Sequence, residues 1–62
     1  MPGEKKFSIY KNGEYQTEIV AKNHSEATQE FAKQNGIEGE WSMGSSRFVT
    51  ADGEFITAKM SF

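Results

Sequence analysis

The side chains suited to acid–base chemistry are few and poorly grouped. His24 is the single histidine. It can serve as a general base or a pH-responsive group. Ser25 stands beside it, but neighbours at i and i+1 on a helix point apart, so the two make no nucleophile–base pair. The simpler reading of His24 is an exposed first-turn residue. Glu38 and Glu40 flank Gly39 and come nearest to a paired-acid site. Paired acids need a cleft, and so short a chain forms few; solvated loop charges are the simpler reading. One histidine, one aspartate and no cysteine give no metal-ligand set and no thiol nucleophile. Gly36, Gly39 and Gly44 lack the G-K-[ST] or G-x-G-x-x-G context of a phosphate-cradling loop. No catalytic residue, cofactor or metal is expected, and the chain reads as non-enzymatic.

Recognition chemistry is better represented. Lysines, an arginine and aromatics alternate with core-type residues, so their placement depends on the elements that carry them. The chain has 62 residues, room for one domain with one small core. Leucine is absent, and eight aromatic side chains supply much of the apolar bulk. Aromatics favour strands and bury large areas, which suits a sheet better than a helical bundle. Seven basic and nine acidic residues leave a net charge of −2, too weak and mixed to draw in nucleic acid or anionic membrane at long range. No apolar run is long enough for a signal peptide or a membrane span. Together with the absence of cysteine, this fits a cytoplasmic protein.

Two glycine-marked turns, Asn12-Gly13 and Asp52-Gly53, each split an apolar-alternating stretch. Both are strong hairpin signals. In the first hairpin, a two-residue loop pairs Lys11 with Glu14 and sets apolar residues opposite polar ones. A three-residue loop, Lys11-Asn12-Gly13, pairs Tyr10 with Glu14, Ile9 with Tyr15 and Phe7 with Thr17, so that all apolar positions share one side. A one-residue slip sends every side chain to the other face, so the second register is expected. It implies a type I turn with a bulge at Gly13 in the left-handed region. By analogy, an Ala51-Asp52-Gly53 loop puts Phe48 with Ile56 inside and leaves Val49 and Phe55 outside. A two-residue loop there reverses Phe48 and Val49.

Between the hairpins lies one helix. Asn23 is its expected N-cap, with Glu26 in capping-box spacing. Ala27, Thr28, Phe31 and Ala32 form a narrow apolar stripe. Gly36 marks the left-handed C-terminal stop, with Ile37 packing back on Ala32. Trp41 and Met43 alternate with Glu40 and Ser42, which suggests a short strand ending in a turn at 44–46. Trp41 reads as a partly buried core residue, or more sharply as an interface anchor. In the last strand Ile56, Ala58, Met60 and Phe62 should face the core. Residues 1–4 are expected to be a flexible lead-in.

The expected architecture is α+β, of order ββαββ, with one helix packed on a four- or five-stranded antiparallel sheet. One helix covers one face. The other carries Lys6, Tyr10, Gln16, Arg47, Phe55 and Lys59, which are the candidate binding residues, together with Glu18. Such a face, or a free sheet edge, suits another protein, a protein complex or a second copy of the chain. Nucleic acid is the rival partner, because bases stack on aromatics of exposed sheets. Glu14 and Glu18 on the same face weigh against it. No membrane partner is expected.

The segment Thr17-Glu18-Ile19-Val20-Ala21, followed by Glu26-Ala27 opening the helix, is a strand-to-helix pattern seen in many small α/β proteins, archaeal ribosomal LX-type proteins among them. Over roughly residues 7–62, in element order, the chain resembles the small phage-encoded anti-CRISPR proteins, in particular one-helix types acting on type I surveillance complexes. The resemblance implies a non-catalytic inhibitor that occludes a host complex by surface contact. It carries over no binding residue.

Overall fold

A computed structural model describes residues 3–61. Met1, Pro2 and Phe62 lie outside the described residues, and with them the expectations for the first two residues of the lead-in and for a core-facing Phe62. Strand β1 (Lys5–Lys11) and strand β2 (Glu14–Ala21) form the first hairpin. Helix α1 (His24–Gln34) follows. Strands β3 (Gly39–Ser42), β4 (Arg47–Thr50) and β5 (Phe55–Ser61) complete the chain. All five strands join one antiparallel sheet in the order β2-β1-β5-β4-β3. The fold is α+β, one helix on a five-stranded sheet, with β3 as the additional short strand near Trp41.

Chemistry at both helix ends explains where α1 starts and stops. Asn23 is extended and its Oδ1 accepts from the Glu26 amide at 2.8 Å. Among the described residues no bond returns from the Glu26 carboxylate, so only half of the expected capping box is made. At the other end the Ile37 amide donates to Ala32 O at 2.8 Å, and the Gly36 amide donates to Lys33 O at 3.3 Å. With Gly36 at φ +66 these two bonds form a Schellman stop. Ile37 then packs against the core.

The stripe behaves as its spacing implies. Ala27, Thr28, Phe31 and Ala32 are all buried. They press on Phe7 and Ile9 of β1, Ile19 and Ala21 of β2, Phe48 of β4 and Ile56 of β5. Ala58, Met60 and Trp41 are partly buried against the same cluster. Thr28 is fully buried, yet its hydroxyl donates to the helix carbonyls of His24 and Ser25 at 3.2 and 3.0 Å, so no polar atom is stranded.

The first hairpin corrects the expected register. Lys11 pairs with Glu14, so the loop is the two-residue Asn12-Gly13 turn rather than a three-residue loop. Both residues have positive φ, +53 and +87, as a type I′ turn requires. Tyr10 therefore faces Tyr15, not Glu14, and Tyr15 leaves the core side. One extra residue in β2, Gln16, then shifts the register. Beyond it Ile9 pairs with Thr17 and Phe7 with Ile19. Placing apolar residues on one face needed an odd residue somewhere, and the chain puts it inside the strand as a bulge instead of in the loop.

The second hairpin has the register expected of it: Phe48 pairs with Ile56, and Val49 with Phe55. Its loop is Ala51, Asp52 and Gly53, with Gly53 at φ +88 and a Thr50 amide bond to Glu54 O at 2.8 Å. Gly39 is not in a loop between two acids. It opens β3 and lies against β4, where a Cβ would meet Val49 O, Thr50 Cα at 2.7 Å and Phe48 Cε1 at 2.8 Å.

Candidate binding face

The helix covers one side of the sheet, and strand alternation decides what the other side presents. On β1 the outward residues are Lys6, Ser8 and Tyr10. Across from them on β5 stand Ser61, Lys59 and Thr57, in that order. On β2 the outward partners are Val20 opposite Lys6, Glu18 opposite Ser8 and Tyr15 opposite Tyr10. Val49 of β4 lies between Phe55 of β5 and Glu40 of β3. Carried one residue further, the β4–β5 register sets Arg47 beside Thr57.

The face therefore has two halves. One is aromatic. Tyr10 and Tyr15 meet edge to face, with ring centroids 5.9 Å apart. Arg47 lays its guanidinium over Phe55, 4.7 Å from the ring centroid. Arg47 Nε is buried without a hydrogen-bond partner. The other half is polar, with Lys6, Lys59, Ser61 and Glu18. There the Ser61 hydroxyl donates to Glu18 Oε2 at 3.2 Å, reaching over β1.

Of the six residues singled out from the sequence, Lys6, Tyr10, Arg47, Phe55 and Lys59 share this face. Gln16 does not belong to its rows. It is the bulge residue, exposed, and its amide donates to Glu14 O of its own hairpin at 3.2 Å. Tyr15, Val20 and Val49 were missed as members. They are 57%, 58% and 38% exposed, which makes them, with Phe55 at 38%, the main uncovered apolar surface of the sheet. Outward parity marks Val20 and Val49 from the strand pattern alone. Tyr15 is marked only once the bulge is known.

Turn chemistry holds the aromatic half in place. The Asn12 amide donates to Phe55 O at 3.0 Å, and its side-chain Oδ1 accepts from the Phe55 amide at 3.3 Å. Asn12 Nδ2 donates to Glu54 Oε2, and Lys11 Nζ pairs with Glu54 Oε1 at 3.3 Å. The turn thereby extends the β1–β5 ladder and fixes where Phe55 begins.

Elsewhere the surface offers less. His24 is exposed and packs edge-on against Phe7, with ring centroids 4.9 Å apart. An open groove beside the helix is lined by Glu26, Glu30, Lys33, Ile37, Gly39 and Phe48. Among the described residues no three of His, Asp and Glu gather as a metal site. Among the described residues no helix is long and apolar enough to cross a membrane. Comparison with protein-family models, with curated proteins and with solved structures finds no match to this chain.

Proposed function

We propose that this chain is a non-catalytic protein-binding module that recognises its partner through the helix-free face of the sheet. One observation carries the reading: Tyr10, Tyr15, Val49 and Phe55 with Arg47 share a sheet face that no element among the described residues covers. Tyrosine and arginine are the side chains most often responsible for interface energy. The edges are weaker candidates. Edge strand β2 is bulged and carries Glu14 and Glu18, and edge strand β3 is four residues long. Both features discourage strand addition, by a second copy or by another chain. On the phage-inhibitor reading the partner is a host protein or ribonucleoprotein complex, occluded by contact alone.

Cations interleaved with rings on one face favour nucleic acid as the second reading. Cross-linking of the purified chain in extract from its source cells separates the two. Protein recognition predicts cross-links that survive nuclease treatment and disappear in the Tyr15→Ala/Phe55→Ala double variant. Loss of the cross-links on nuclease treatment supports the rival reading. Cross-links unchanged in the double variant overturn the face as the site.

A further inference from the structure

We propose that the helix-free face takes an extended acidic segment of its partner protein, with carboxylates at alternate positions. This inference rests on the protein-binding reading above and adds the partner's chemistry. The chain is acidic overall, with a net charge of −2. The three central strands nevertheless present Lys6, Arg47 and Lys59 on this face and no carboxylate. The acids of the face, Glu18 and Glu40, belong to the outer strands β2 and β3, and the Glu18 carboxylate reaches over β1 to the Ser61 hydroxyl.

Register orders the three cations. Lys6 lies opposite Ser61, two residues from Lys59 along β5. Carried one residue beyond the Phe48–Ile56 pair, the β4–β5 register sets the Arg47 backbone beside Thr57, two residues from Lys59 in the other direction. The residues that bear the cations thus step diagonally across β1, β5 and β4, one strand at a time. Diagonal neighbours in a sheet are about 7–8 Å apart, and the Arg47 guanidinium is drawn further from Lys59, over Phe55. Alternate residues of an extended chain are about 6.6 Å apart, so acids at positions i and i+2 match Lys6 and Lys59, and an acid further along the same segment reaches Arg47. Among the described residues none of the three cations has an ion-pair partner, for the one ion pair there is Lys11 with Glu54. Glu18 is turned to the Ser61 hydroxyl. Three like charges in a row repel, and an anionic partner removes that cost.

The rings favour polypeptide over nucleic acid. Arg47 already occupies a face of Phe55, and Tyr10 and Tyr15 engage each other. Stacking platforms for bases are therefore partly filled, while apolar side chains can still pack on the exposed parts.

The test is selection of displayed random twelve-residue peptides on the immobilised full chain, followed by anisotropy titration of the winners. Enrichment of Asp and Glu at alternate positions is expected. The Lys6→Glu/Lys59→Glu variant should then weaken the winners by roughly tenfold or more. Charge reversal on the helix, Lys33→Glu, should leave affinity within about twofold. Thermal melting by circular dichroism checks that both variants fold; where the first does not, Lys6→Gln/Lys59→Gln replaces it. No enriched peptide, enrichment without acids, or tighter binding of labelled fifteen-nucleotide oligo-dT or oligo-U overturns the inference. If Tyr15→Ala/Phe55→Ala abolishes peptide binding and charge reversal does not, the acidic partner falls while recognition by the face stands. If neither variant matters, both fall.

Discussion

Two glycines show how one residue type carries unrelated constraints. Gly13 sits at φ +87 with nothing within 4 Å of an added Cβ. Its need for glycine is conformational. Gly13→Ala should lower stability by about 1 kcal/mol, the cost of a side chain in the left-handed region. Gly39 has the opposite problem. Its missing side chain makes room for the backbone of β4 and the ring of Phe48. Gly39→Ala forces those groups apart and should cost about 1–3 kcal/mol, as overpacking does. Urea midpoints of the two variants check the ranking; an equal or smaller loss for Gly39→Ala contradicts it. The Asn-Gly pair announced Gly13 in the sequence. Nothing local announced Gly39, because its constraint comes from Thr50 and Val49, a strand away.

At the scale of elements, the sequence located the hairpins and the helix well, for each has a physical marker at its ends. Asn12-Gly13 and Asp52-Gly53 mark turns; Asn23 and Gly36 mark a helix. Register in the second hairpin was as expected, but by analogy with a three-residue loop that the first hairpin does not have; the unbroken alternation of Ile56, Ala58 and Met60 fixes the inward face of β5 and not whether Phe48 or Val49 joins it. In the first hairpin the register was not as expected. Parity demanded one odd residue, and two devices satisfy parity equally: a three-residue loop or a bulge within β2. Gln16 has no property that reveals which. The bulge also explains why Tyr15 was assigned to the core side and lies instead 57% exposed. Removing Gln16 tests this account. Deletion closes the bulge and leaves Tyr10 opposite Tyr15, Ile9 opposite Thr17 and Phe7 opposite Ile19, so Ile19 and Ala21 keep facing the helix. The deletion variant should therefore fold with the same pairs; had the odd residue been in the loop, the deletion would turn these two residues, 7% and 1% exposed, to the outer face. Gln16→Ala keeps the residue count and should change stability by less than about 0.5 kcal/mol. Cross-strand contacts between Phe7 and Ile19, read by NMR, report the outcome; their loss in the deletion variant refutes the bulge as the device that sets register.

For the whole molecule, the decisive feature is the pairing of the two strands nearest the chain ends. Lys6 lies opposite Ser61 and Ile9 opposite Ala58, which sets β5 in the middle of the sheet with β1 beside it. Turn and cap signals are local, and no local signal states that order; it follows once both hairpins must share one helix. Phe7, Ile9 and Ile56 on these strands are at most 1% exposed. Edge strands β2 and β3 each lose one row of neighbours. Local opening should therefore begin at the edges, and exchange of the central amides should require global unfolding. Amide hydrogen exchange is expected to be slowest at backbone-bonded positions of β1 and β5, with β3 fastest among the strands. Because the central pair closes the longest loop in the chain, neither hairpin should persist alone: a chain ending at Gly53 keeps β1, β2 and α1 yet loses the strand on which Phe7 and Ile9 pack. It should show no cooperative melting transition. A folded, cooperative product from that truncation would mean that the first hairpin and helix hold themselves together, and that the helix-free face is assembled onto an already stable half.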